Sequence, residues 1–147
     1  MKVEQVSVHS RDHTIDLMKK YFEFYEREVP STDDIQQHVT RFIENQKFGV
    51  QFIAHDNDMP IGFTTLYFTY STLSLAPLSI MNDLYVEPNF RGKGVADALF
   101  DKCVEYSKSR GIHKMEWVTA TDNHRAQKFY DRKGGEKSTW MMYDIHF

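Results

Sequence analysis

Six residues, Arg91-Gly92-Lys93-Gly94-Val95-Ala96, stand between a strand-like run and an amphipathic helix. Backbone N–H groups at a helix start lack an intrahelical acceptor and sit at the positive end of the helix dipole, so a loop of this kind can bind phosphate. Gly92 and Gly94 would let an anion approach the backbone with no Cβ in the way, and Arg91 and Lys93 add positive charge. A Walker loop needs Ser or Thr after Gly-Lys, where this chain has Gly94. A dinucleotide fingerprint needs a small third residue where this chain has Asp97. Read in isolation, the loop could equally be a strand-to-helix turn that uses glycine for geometry alone.

Other residues with chemical potential carry less. The acids Glu23, Glu26, Glu28, Asp33 and Asp34 form either a solvated helical surface or a binding face for a cation. His9 and His13 have metal-like spacing but straddle a strand end and lack a third ligand, so no metal site is expected. Cys103 lies on the apolar stripe of a helix and reads as inert core.

The elements that position these groups follow from periodicity. "KVEQVSVH" alternates like a strand, and apolar residues recur at helical intervals from Asp12 to about Arg27, before Pro30. "STDDIQQHV" opens a second helix with Ser31 or Thr32 as N-cap and acids in its first turn. "GVQFIAHD" and "MPIGFTTLYFTYST" form a hairpin over "DND", and a third strand covers about Leu78 to Val86. A helix from Gly92 to about Ser109 ends at Gly111, where a left-handed cap is usual. "KMEWVTA" reads as a strand, "DNHRAQKFYDRK" as a helix capped by Asp122 and ended at Gly134-Gly135, and "STWMMYDIHF" as a last strand. The pattern predicts an α/β fold: a mixed central sheet, antiparallel in its N-terminal meander, covered by helices.

With 147 residues, 41% hydrophobic and 27% charged, the chain is expected to form one domain, 1–147. A net charge of -3 does not favour a nucleic-acid partner and suits a small cationic one better. A single cysteine rules out an intramolecular disulfide. No signal peptide or spanning run is apparent, so a cytoplasmic protein without a membrane partner is expected. A homodimer is compatible with this reading.

Taken together, three motifs resemble the GNAT superfamily of acetyl-CoA-dependent N-acetyltransferases. "RGKGVA" fits the superfamily's pyrophosphate signature, Arg/Gln-x-x-Gly-x-Gly/Ala, and "NDLYVEP" is similar to its splayed strand. "NHRAQKFYDRKGG" is similar to its Asn-x-x-Ala-x-x-Phe-Tyr helix. "IGFTTLYFTYST" and "KKYFEFYEREV" further resemble spermidine/spermine N-acetyltransferases, and "NDLYV" and "NHRAQ" a fungal group acting on histones and polyamines. The resemblance implies a GNAT fold, acetyl-CoA as cosubstrate with CoA as product, and a small-molecule amine as acceptor. A polyamine comes first, with protein lysine or an amino acid as alternatives and a non-catalytic CoA-binding module as a remote one.

The resemblance also assigns roles. The backbone of Arg91, Gly92, Lys93, Gly94, Val95 and Ala96 would hold the diphosphate, and the main chain of Leu84, Tyr85 and Val86 the pantetheine arm. Asn123, Ala126 and Tyr130 share a helix face: Asn123 would bind the cofactor arm, Ala126 leave clearance, and Tyr130 protonate the departing thiolate. A phenol of reference pKa about 10 is protonated at neutral pH and can donate as a thiolate forms. Acceptor binding would fall to Glu23, Asn82 and Asp83. Asn82 occupies the place where polyamine-acetylating relatives often carry a glutamate, and it cannot accept a proton. Asp83 should point to the opposite face from Asn82 unless a bulge intervenes. A water chain to Glu23 or Asp83 is therefore the expected route for the amine proton.

Overall fold

The computed structural model describes residues 1–147, which divide into two compact units, Met1–Trp117 and Val118–Phe147. The first holds a five-stranded sheet in the order β1 (Lys2–Gln5), β2 (Gly49–Asp56), β3 (Met59–Ser71), β4 (Ala76–Val86) and β5 (Met115–Glu116). The first three pairings are antiparallel and β4 with β5 is parallel, which makes the sheet mixed. Three helices belong to this unit: α1 (Arg11–Phe24), α2 (Thr32–Glu44) and α3 (Val95–Ser109). The second unit holds α4 (His124–Arg132).

Strand alternation divides the sheet between helices. Ile53, Phe63 and Tyr85 join Ile15, Leu17 and Met18 of α1 and Ile35 and Val39 of α2 in one buried cluster. Residues of opposite parity meet α3: the Phe52 and Phe68 rings approach Tyr106, at 5.4 and 6.1 Å between centroids. Phe42, Phe52, Phe63, Leu66 and Leu99 are fully buried, and that apolar burial is the main source of the unit's stability.

Local signals place most element ends. The Ser31 hydroxyl accepts from the Asp34 N–H at 3.1 Å and starts α2. Gly111, at φ 71°, ends α3 while its N–H and that of Ile112 close back onto Lys108 and Ser107. Gly134 and Gly135 end α4 in the same way, through bonds to Asp131 and Tyr130.

Some expectations need correction. Helix α1 stops at Phe24, well before Pro30, because Glu26 takes a left-handed conformation (φ 53°) and Arg27 N–H bonds back to Phe22. Asn123 rather than Asp122 caps α4, its Oδ1 accepting from Ala126 N–H at 3.1 Å. The "KMEWVTA" strand is reduced to Met115–Glu116, and "STWMMYDIHF" forms no strand. Its apolar residues are exposed, Trp140 by 83% and Tyr143 by 87%. Strand-forming composition does not make a strand without a ladder partner.

Candidate active site

The glycine loop follows β4 through a short 3-10 turn, Pro88–Phe90. Gly92 (φ 76°) and Gly94 (φ 83°) both lie in the left-handed region, and Gly94 is the N-cap of α3. A Cβ built on either would meet no atom within 4 Å. The glycines are therefore required by backbone conformation, while the space over them is open to a ligand. Val95 is buried under the first turn, whose amides have no acceptor within the helix. This combination is suited to an anion.

Arg91 braces the loop. Its Nε donates to the Val86 carbonyl at 2.9 Å, and its guanidinium carbon lies 4.8 Å from the Phe24 ring centroid and 6.0 Å from that of Tyr85. Lys93 Nζ lies 5.2 Å from the Phe90 ring centroid. An ion pair between Lys20 of α1 and Glu87 ties the end of β4 to α1. The nearby Tyr85 phenol is pushed up in pKa, first by burial and then by the Glu87 charge.

Strand β4 has an unusual outer edge. β5 pairs with it only at Ser79 and Ile80, so Met81 to Val86 have β3 on one side and no strand on the other. Leu84, Tyr85 and Val86 occupy this free edge and lead directly to the loop. An exposed strand edge offers main-chain donors and acceptors to an extended ligand that carries amides.

The bulge allowed for in the sequence is present. Thr65 pairs with Asp83 and Leu66 with Met81, leaving Asn82 as the extra residue on β4. In an unbroken strand Met81 and Asp83 would share a face. The bulge separates them, putting Met81 with Leu66 on the α3 side and Asp83 with Thr65 on the α1–α2 side. Asn82 is exposed, with its Nδ2 3.4 Å from Asp83 Oδ2. Asp83 as a residue is partly exposed, yet its Oδ1 is buried without a hydrogen-bond partner. Burial raises its carboxyl pKa from 3.8 to about 6, against the smaller opposing influence of the neighbouring Thr65 and Asn82.

Among the expected acceptor residues, the structure joins Asn82 to Asp83 and sets Glu23 on the exposed last turn of α1, where its charge acts on Tyr85. Asn123, Ala126 and Tyr130 lie on α4 of the second unit, with the Asn123 Oδ1 engaged in the cap and its Nδ2 left for other contacts. Thr65 and Gln51, which line the Asp83 side of the sheet, escaped the sequence reading. A glutamine inside the apolar run "GVQFIA" was the available signal.

The family model for the acetyltransferase (GNAT) family matches residues 12–135. The chain belongs to the GNAT acetyltransferase family. Like its family, this GNAT chain is an acetyl-CoA-dependent acyltransferase. It is 29% identical over 143 residues to N-acetyltransferase YhfO of Bacillus subtilis (strain 168), covering 97% of this chain and 95% of that one. It is 30% identical over 133 residues to thialysine N-epsilon-acetyltransferase of Caenorhabditis elegans, covering 89% and 82%. A crystal structure described as that of a probable acetyltransferase superimposes with a TM-score of 0.88 at 28% identity, covering 100% of this chain and 98% of the other. The aminoglycoside enzyme AAC(6')-Iy, solved with a bisubstrate analog, shares the GNAT fold at a TM-score of 0.88 and 19% identity, covering 99% and 97%. No helix of this GNAT protein is long and apolar enough to cross a membrane.

Proposed function

We propose that the chain transfers the acetyl group of acetyl-CoA to a primary amine on a small molecule that carries a second positive charge, with polyamines as the first acceptor class. The observation that carries this reading is the Asp83 carboxyl, turned by the Asn82 bulge and poised at about 6 on the strand that leads to the glycine loop.

The residues present fit the cosubstrate. Gly92 and Gly94 leave open space above an anion-binding helix start, and the Leu84–Val86 edge is unpaired by any strand. The loop Arg91–Ala96 would hold the diphosphate and that edge the pantetheine amides, while the thioester supplies the acetyl group. A strand N–H would stabilise the carbonyl oxygen as charge develops on it.

Asp83 takes the amine proton, directly or through water. An amine of pKa about 10.4 giving its proton to an ordinary carboxylate of about 3.9 faces about 9 kcal/mol; a carboxyl at about 6 lowers this to about 6 kcal/mol. That cost is met before attack, since only the free amine has a lone pair for the N–C bond; once the bond forms, the nitrogen is acidic and gives its second proton to water. As the C–S bond breaks, Tyr130 gives its phenolic proton to the sulfur. Asn82, with an amide in place of a carboxylate, positions Asp83 and cannot replace it.

Glu23 anchors the second ammonium of the acceptor. An amino-acid amine is the second reading, favoured by the likeness to thialysine N-epsilon-acetyltransferase. Both acceptors place a second ammonium several bonds from the reacting nitrogen; the amino acid adds a carboxylate. A panel of spermidine, putrescine, thialysine, lysine and a monoamine, read by free-thiol release, separates the two. Glu23→Gln should raise KM for spermidine about 5- to 150-fold more than for the monoamine. Absence of spermidine and putrescine turnover beside rapid thialysine turnover would replace the first reading with the second.

A further inference from the structure

On the α1–α2 side of the sheet, three polar residues from three adjacent strands lie in a row: Gln51 on β2, Thr65 on β3 and Asp83 on β4. Gln51 and Thr65 pair in register, as do Thr65 and Asp83. Gln51 and Thr65 are among the most buried residues of the chain, 1% and 0% exposed. Gln51 Nε2 donates to Thr65 Oγ1 at 3.0 Å and also lies 3.8 Å from Met18 Sδ. Thr65 stands opposite Asp83 in the β3–β4 pairing and favours its charged form, while the Asp83 Oδ1 is buried with no hydrogen-bond partner.

The direction of this chain is set by its donors. A hydroxyl has one hydrogen. Because Thr65 Oγ1 accepts from the Gln51 amide, its hydrogen is free for Asp83. With the amide reversed, the Gln51 carbonyl would draw the Thr65 hydrogen away. The observed orientation leaves the Gln51 Oε1 buried without a donor, an arrangement unfavourable to Gln51 itself.

We propose that Gln51 is a positioning residue of the acetyl transfer, occupying the Thr65 oxygen so that the Thr65 hydroxyl hydrogen is free to turn to the unpartnered oxygen of the Asp83 carboxylate and keep it available as the proton acceptor. This rests on the reading of Asp83 as the base. The titratable and charged groups around Asp83 are Tyr67 on β3 and Cys103 on α3, whose ionisation its charge opposes. Arg41 of α2 acts on Tyr67, and Glu23 of α1 acts on Tyr85, two residues along β4. None of these donates a hydrogen bond to the carboxyl, whose Oδ2 has Asn82 Nδ2 at 3.4 Å.

The test titrates the Asp83 carboxyl carbon by NMR in the wild type, Gln51→Met, Thr65→Val and Thr65→Ser, alongside pH profiles of kcat/KM. Losing a donor to the charged form raises the pKa, so Gln51→Met and Thr65→Val should move the Asp83 midpoint up by about 0.5 to 1 pH unit, and the acid limb of kcat/KM with it. Thr65→Ser keeps the hydroxyl and should leave both in place. A merely structural role for Gln51 would lower the melting temperature without moving the midpoint. An unmoved midpoint in folded Gln51→Met overturns the inference. A moved midpoint with an unmoved rate limb overturns Asp83 as the base, and the catalytic part of the inference with it.

Discussion

Arg91 Nε donates to the Val86 carbonyl at 2.9 Å, so the guanidinium that precedes the glycine loop is fastened to the end of the strand before it. One of its N–H groups thereby holds the loop in shape, and the others remain for an anion. The same side chain can organise the backbone and supply charge, which is why a glycine loop bounded by arginine differs from a plain turn.

The backbone shape of the loop can be tested at Gly94. At φ 83° any side chain is strained, by about 1 to 3 kcal/mol, although a Cβ there would meet nothing. Gly94→Val should lower unfolding stability by that order and weaken CoA binding in calorimetric titration. Undiminished CoA affinity in the folded variant would remove the loop from the cosubstrate site.

Removing the proposed acid separates chemistry from binding. Tyr130→Phe should reduce kcat about 10- to 1000-fold while leaving the Kd for CoA near the wild-type value. An unchanged kcat would assign thiolate protonation to solvent or another group.

Asp83 makes stability depend on pH in an unusual sense for a carboxylate. Its folded pKa, about 6, lies above the unfolded value of 3.8, so the folded state binds the proton more tightly. The stabilisation from that proton is fully present below about pH 4 and lost as pH rises through about 6, a change of at most about 3 kcal/mol. Asp83→Asn should flatten this part of the stability curve in urea unfolding measured from pH 4 to 8. It should also abolish the acid limb of the rate profile near pH 6. A wild-type curve without a decline across this range would contradict the buried state of the carboxyl.

His55 acts in the opposite direction. It is buried, its Nε2 lies 3.0 Å from His13 Nδ1, and Lys2, Glu4 and Asp58 surround it. Burial, then the nearby His13, lowers its pKa from 6.5. A depressed folded pKa means stability is present above about pH 6.5 and lost as pH falls through the lowered value. His55→Gln should reduce the acid-side loss between pH 6.5 and 5. If the loss is unaltered, it arises from another group, of which His38, also lowered by burial, is the next candidate.

Features written into short stretches of chain were legible in the sequence. Ser31 caps α2, Gly111 closes α3, β2 and β3 turn over Asn57 and Asp58, and the two loop glycines take positive φ. Each depends on the chemistry of a few neighbouring residues, so residue type alone announces it. The succession of helices and strands along the chain, as far as α4, followed from periodicity for the same reason. Tertiary structure alone decided what depends on partners distant in the chain. The bulge at Asn82 exists only against β3, and it is the bulge that turns Asp83 toward Thr65 and Gln51. The early end of β5 and the missing final strand are likewise matters of pairing, invisible to composition. The sequence named Asp83 as a carboxylate of interest; burial of its Oδ1, produced by three strands and the helices over them, gives it a proton affinity suited to a base.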